Sequence, residues 1–279
     1  MLATIAQNLG LVVILIAILF LGKVLLDLLV HLLHKKNADH ELSENDNPAF
    51  GVSFFGFLIA LAIATLAGIT PGDAPYTTDI AVMAVHGAFT VIALLIAWVV
   101  NDKCILYRIR NADAIFNGRN LSVGIAEAAS FIATALVLAG AWTSGGWGAV
   151  ILWFVAGQLM FIVVMLLYHW ITPYDLQAEI AGNNTACAFG FSGFLIATGI
   201  LVGKAVAGPS SHLGTDLRDS CLYLLTGVAT LVIIRLLIGR VFLRTPALNK
   251  EISVDRNPNA GLAEAVIYAV TAFAFTTLV

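Results

Sequence analysis

Eight stretches of about 20 predominantly apolar residues, near 9–30, 49–69, 80–101, 121–141, 147–170, 185–206, 219–239 and 260–279, alternate with short polar connections. At 1.5 Å rise per residue, roughly 20 helical residues cover the about 30 Å hydrocarbon core of a bilayer. The pattern therefore predicts an all-α polytopic membrane protein with eight transmembrane helices and no soluble domain. The first run begins almost at Met1 without a basic n-region or a small-residue cleavage site, so a retained helix is expected there rather than a signal peptide.

The pattern also repeats. Gly124-Ile125-Ala126-Glu127-Ala128 returns 137 residues later as Gly261-Leu262-Ala263-Glu264-Ala265, and Gly56-Phe57-Leu58-Ile59-Ala60 returns at the same spacing as Gly193-Phe194-Leu195-Ile196-Ala197. Matching offsets in separate helices predict two parallel four-helix repeats, 1–142 and 143–279, with a pseudo-two-fold axis along the membrane normal. A fainter period places Asn47, Asn120, Asn184 and Asn257 just before the four even-numbered helices. Asparagine is a good N-cap; a ring of four amides at a pore mouth is the sharper alternative. The even helices are rich in Gly, Ala, Ser and Thr, with ridges at Ala60, Ala64 and Gly68 and at Gly261, Ala265 and Ala269. Small residues let helices approach closely where lipid supplies no hydrophobic drive, so these helices are expected inside and helices one and five against lipid.

Composition agrees: 60% of residues are hydrophobic and 11% charged, against roughly 25% charged in an average soluble domain. Lys35, Lys36, Lys103, Arg108, Arg110, Arg119, Arg240, Arg244, Lys250 and Arg256 cluster on one set of connections, facing only Lys204 and Arg218 on the other. The positive-inside rule then puts both termini outside the cytoplasm. The net charge is -3 and no basic block with interleaved aromatics points to nucleic acid. Cys104, Cys187 and Cys221 are far apart and form no CxxC, so neither a disulfide framework nor a zinc knuckle is expected.

Candidate chemistry centres on Glu127 and Glu264, each seven residues beyond an asparagine cap and so about 10 Å into an apolar helix. A carboxylate at that depth costs a few kcal/mol and normally faces a partner, a cavity or an ion path. A cation or proton site between the halves is one reading. The other is structural pairing with Arg235 of helix seven or Lys23 of helix one. Lys23, Asp27 and His31 share a face of helix one, with His34 a turn beyond, and Trp98 holds the place of Arg235 in the other half. His31, His34 and His40 with Asp39, Glu41, Glu44 and Asp46 fit no zinc template, and no cofactor or metal is expected. Tyr174, Asp175 and Glu179 form a short acidic connection. No nucleophile with its base, phosphate loop or HExxH helix occurs, so an enzyme is not expected.

Between helices five and six the chain reads Ile171-Thr172-Pro173, Glu179-Ile180 and Asn183-Asn184-Thr185-Ala186, with Phe191-Ser192-Gly193 following inside the helix. This resembles the YjfL-like family, catalogued as domain of unknown function 350, whose unit is a four-helix segment. The resemblance is closest in the second half; the first departs from it where a charged linker, His31 to Asn47, replaces the Ile-Thr-Pro segment. Membership would imply a polytopic protein of the bacterial cytoplasmic membrane and no assigned activity. Two functions fit the residues. One is a transporter or channel-like module for a cation or small solute, with Glu127 and Glu264 in its interior. The other is a non-catalytic scaffold in the lipid bilayer that holds a cytoplasmic protein partner through Lys103, Arg108, Arg244 or Lys250. Ala93 and Ala97 on helix three leave room for a homo-oligomer.

Overall fold

A computed structural model describes residues 2–67, 69, 75–208, 213–241 and 248–278, and the side chains of these except 2–4, 213–216 and 239–241. Gly68 and Arg244 of the sequence expectations, and the side chain of Arg240, lie outside that set. The described chain is helical, and eight helices are long and apolar enough to cross a membrane. In order they are α1 (Leu2–His34), α2 (Ala38–Ser43), α3 (Pro48–Leu66), α4 (Tyr76–Val100), a π-helical turn (Asn101–Ile105), α5 (Asn111–Phe116), α6 (Leu121–Ala141), α7 (Trp147–Ile171), α8 (Leu176–Ala181), α9 (Thr185–Ala205), α10 (Leu213–Val241), α11 (Leu248–Ser253) and α12 (Pro258–Leu278). The protein is a multi-span helical membrane protein.

The short helices α2, α5, α8 and α11 divide each half again. Each is followed by one non-glycine residue in the left-handed region, Asp46, Arg119, Asn183 or Arg256, with φ of 44°, 47°, 56° and 49°. The next residue is always the asparagine that opens an inner helix. Three of these side chains accept the third N–H of their helix, Asn47 from Phe50, Asn120 from Val123 and Asn184 from Cys187, each at 3.2 Å. That satisfies one of the four N–H groups a helix start leaves orphaned. Their Nδ2 groups reach sideways into the following unit: Asn47 donates to Ile115 O at 3.0 Å, Asn120 to Ile180 O at 2.9 Å and Asn184 to Ile252 O at 2.8 Å. The four amides therefore form a stitched line rather than a ring. Asn257 ends the line: its Nδ2 donates to Glu251 of its own unit, and its Oδ1 accepts from Asn259, one residue earlier than in the other caps. The acidic α7–α8 connection is held the same way, because Asp175 caps α8 by accepting from Gln177 N and Ala178 N and pairs with Arg108 at 2.9 Å. The bond from Ala178 first, then the Arg108 guanidinium and the bond from Gln177, hold its carboxyl below the usual aspartate range against the opposing effect of burial.

The inner helices α3, α6, α9 and α12 run parallel from this capped end and pack in a row in that order. Glycine sets the spacing. A Cβ at Gly56 would meet Ala128, and one at Gly193 would meet Ala265, the same contact in each half; between the halves a Cβ at Gly199 would meet Ala133 and one at Gly203 the carbonyl of Leu136. A two-fold axis would carry the α6/α9 seam onto an α12/α3 seam, and among the described residues no comparable seam joins α12 to α3. The expected closed pair of halves is thus an open row. Burial follows: the apolar stretches of α6 and α9 are 83% buried, that of α3 56% and that of α12 only 22%. The expectation that helix eight is interior is corrected, and its side chains show why. Where α6 turns Ala129 and Ala133 to α9, α12 carries exposed Val266 and Val270 at the matching positions. Small residues on one face of a helix say nothing about its other face. Exposed Leu, Ile, Val and Phe of α1, α4, α7 and α10 form the lipid-contacting surface.

Candidate functional site

The two glutamates do not meet. Each lies within its own half, Glu127 against α3 and α4, and Glu264 against α9, α10 and α7.

In the second half, Glu264 is fully buried and Arg235 of α10 is 5% exposed. Arg235 Nε sits 2.7 Å from Glu264 Oε1, an ionic contact without hydrogen-bond alignment, while its Nη2 donates to Asn249 at 2.9 Å. Tyr268, one turn along α12, donates to the same Oε1 at 2.7 Å, and Tyr168 of α7 donates at 3.4 Å. Tyr168 OH also lies 3.3 Å from Tyr174 OH in the connection beyond, where burial pushes the Tyr174 phenol above its ordinary range. Oε2 makes no hydrogen bond and rests against Gly190. A buried charge set this way is neutralised by its partner and oriented by two phenols.

In the first half every one of those positions holds something else. Glu127, 2% exposed, accepts from Ser53 Oγ of α3 on Oε2 and from Trp98 Nε1 of α4 on Oε1, the latter at 2.9 Å. Ser53 stands 137 residues before Gly190, Trp98 before Arg235 and Phe131 before Tyr268. The arginine is replaced by a neutral N–H donor and the phenols are gone. What remains beside the carboxylate is a cavity of about 20 Å³ walled by Leu26, Val30, Phe50, Phe54, Trp98 and Phe131. Just past Trp98, α4 widens into the π-helical turn Asn101–Ile105, a distortion often found at functional sites.

Lys23 does not partner Glu127, and Asp27 is not at the site. Lys23 Nζ pairs with Asp39 at 2.7 Å and Asp27 Oδ1 accepts Ala38 N at 2.9 Å, so this polar stripe of α1 anchors α2. A shared face shows that side chains point the same way, not what they meet. Ser53, Tyr168 and Tyr268 escaped the sequence reading as glutamate partners, as did Trp98 as a donor. The 137-residue offset that relates the glutamates also relates Ser53 to Gly190, and Tyr268 lies four residues from Glu264, hence on its face.

The Domain of Unknown Function (DUF350) profile matches residues 1–142 and again 141–279. The chain belongs to the DUF350 family. Its two consecutive family units correspond to the sequence repeat, and no activity comes with that membership. No curated protein and no solved structure matches the chain.

Proposed function

We propose that this DUF350 protein is a transport or channel-like module of the bacterial cytoplasmic membrane in which Glu127 is the cation-handling group and the Glu264–Arg235 pair is its structural counterpart. One observation carries the reading: at the same place in two repeats, one buried carboxylate has a guanidinium and the other has only neutral donors and a cavity. An ionisable group at membrane depth with no charged partner is costly unless its charge changes in use. The scaffold alternative draws less support, because described cations it would employ are engaged within the chain, Arg108 with Asp175, Lys103 with Asp102 and Lys250 with Asp255. In proteoliposomes, Glu127→Gln should abolish cation or proton flux while leaving thermal stability near that of the parent. Flux that survives the substitution would remove Glu127 from the site.

By the charge rule the capped end faces the cytoplasm and both termini face away from it. Cys104 is exposed in the π-helical turn at that end. A membrane-impermeant maleimide should label it in inverted vesicles and not in intact cells stripped of their outer membrane. The opposite result would reverse the orientation.

A further inference from the structure

We infer that the species bound at Glu127 is a proton, exchanged with water at the capped end past the ring of His34. The inference rests on Glu127 being the working site and adds what it handles and from which side.

The lining of the cavity decides the species. Of its eleven side chains, only Ser53 and Glu127 carry oxygen, whereas calcium takes six to eight oxygen ligands and magnesium an octahedral set. Both carboxylate oxygens already face donors, the Ser53 hydroxyl and the Trp98 indole N–H; the hydroxyl can turn to accept a proton placed on Oε2, whereas the indole N–H can only donate and keeps Oε1 from a metal cation. About 20 Å³ excludes an organic solute and is room for about one water molecule.

The surroundings of His34 decide the route. Two larger pockets open at the capped end, of about 440 and 370 Å³, and His34 and Ala112 line both. Ala112 also lines the Glu127 cavity, and Phe116 is shared between that cavity and the smaller outer pocket. The His34 ring packs edge-on to Trp98 at 5.7 Å and against Phe116 at 5.5 Å. Ala112 and Phe116 thus form the wall between outer space and the cavity, and the His34 ring lies on the outer side of that wall, packed on two residues that line the cavity, Trp98 and Phe116. His34 Nε2 is buried there without a hydrogen-bond partner, a state that normally costs about 1–3 kcal/mol and that a passing water or proton relieves. The titratable and charged groups facing the ring from the outer pockets are Asp102, Lys103, Tyr107, Arg108 and Arg110 on one side and Lys36, Arg110 and Asp113 on the other. On the inner side Glu127 stands alone. In the second half Tyr168, Tyr268 and Arg235 occupy the equivalent space around Glu264.

The transfer is a closed exchange. A hydronium ion of the outer pocket gives its proton to the outward nitrogen of the His34 ring, forming imidazolium and leaving water, while the buried Nε2 keeps the proton that goes inward. The ring then releases a proton to a water in the cavity, which passes one to Glu127, leaving neutral imidazole and a carboxylic acid; the reverse sequence restores the carboxylate.

The test is infrared difference spectroscopy of the reconstituted full-length protein after a pH jump. A protonated-carboxyl C=O band should appear, be absent in Glu127→Gln, and rise on the order of 100-fold more slowly in His34→Phe, which keeps the ring packing but removes the nitrogens. His34→Asn should slow it similarly, guarding against a packing artefact of the first variant. A band that persists in Glu127→Gln, rises at the parental rate in both His34 variants, or shifts with added sodium or calcium would overturn the inference. A titrating band without any flux would leave the proton site standing and defeat the transport reading instead.

Discussion

Arg235→Ala should destabilise the folded protein by roughly 3–5 kcal/mol, the cost of removing one partner of a buried ion pair and leaving the other charge uncompensated. Glu264 would remain fully buried with its Oε2 already unbonded and only two phenols to share its charge. Denaturation in detergent reads the loss directly. Replacing both partners, Arg235→Met with Glu264→Leu, should recover most of it, because an apolar pair of similar volume carries no desolvation cost. This contrast separates a structural pair from a working one. Should Arg235→Ala stay within about 1 kcal/mol of the parent, the range of an exposed pair, Glu264 would have to be considered a working group beside Glu127.

Much of this architecture is legible in the chain because membranes enforce simple rules. Apolar runs of helix-spanning length locate the eight spans, and the 137-residue offset exposes the duplication. The caps at Asn47, Asn120 and Asn184 are local, so the sequence is sufficient for them. The partnership of Arg235 with Glu264 is readable as an option, since an unpaired arginine in an apolar helix demands a counter-charge. The arrangement of the units is another matter. A repeat states that two segments are alike, not which symmetry operation relates them, and only the α6/α9 seam reveals a row. The six-residue helices α2, α5, α8 and α11 are too short to show a periodicity. Yet their carbonyls receive the asparagine amides that hold the row together. Lys23 and Asp27 look like site residues until α2 is in place to claim them. The Glu127 environment is hidden for a similar reason, because Ser53 is one of many small polar residues in α3 and its hydroxyl matters only once α6 lies against it.

Gly203→Leu should have the second largest effect, and it bears on where a path through the protein can lie. At the seam between the halves, a Cβ on Gly203 would run into the Leu136 carbonyl, one on Gly140 into the Gly203 carbonyl, and one on Gly199 would come within 2.8 Å of Ala133 Cα. All three obstacles are backbone, which cannot swing aside as a side chain can. Overpacking a core by a few carbons costs about 1–3 kcal/mol, and here the added atoms would have to push two helices apart along the seam, so the upper part of that range is expected. The unfolding midpoint in detergent should fall clearly. Gly148→Ala is the matched control: nothing lies within 4 Å of its added Cβ, and alanine is the better helix former, so stability should be unchanged or slightly raised. A seam this close has no room for a solute between the halves, which is why the working site is placed inside the first half, at Glu127. If Gly203→Leu unfolded like the parent, the halves would be free to sit further apart, and a polar path between them, with both glutamates at its edges, would again be the better account.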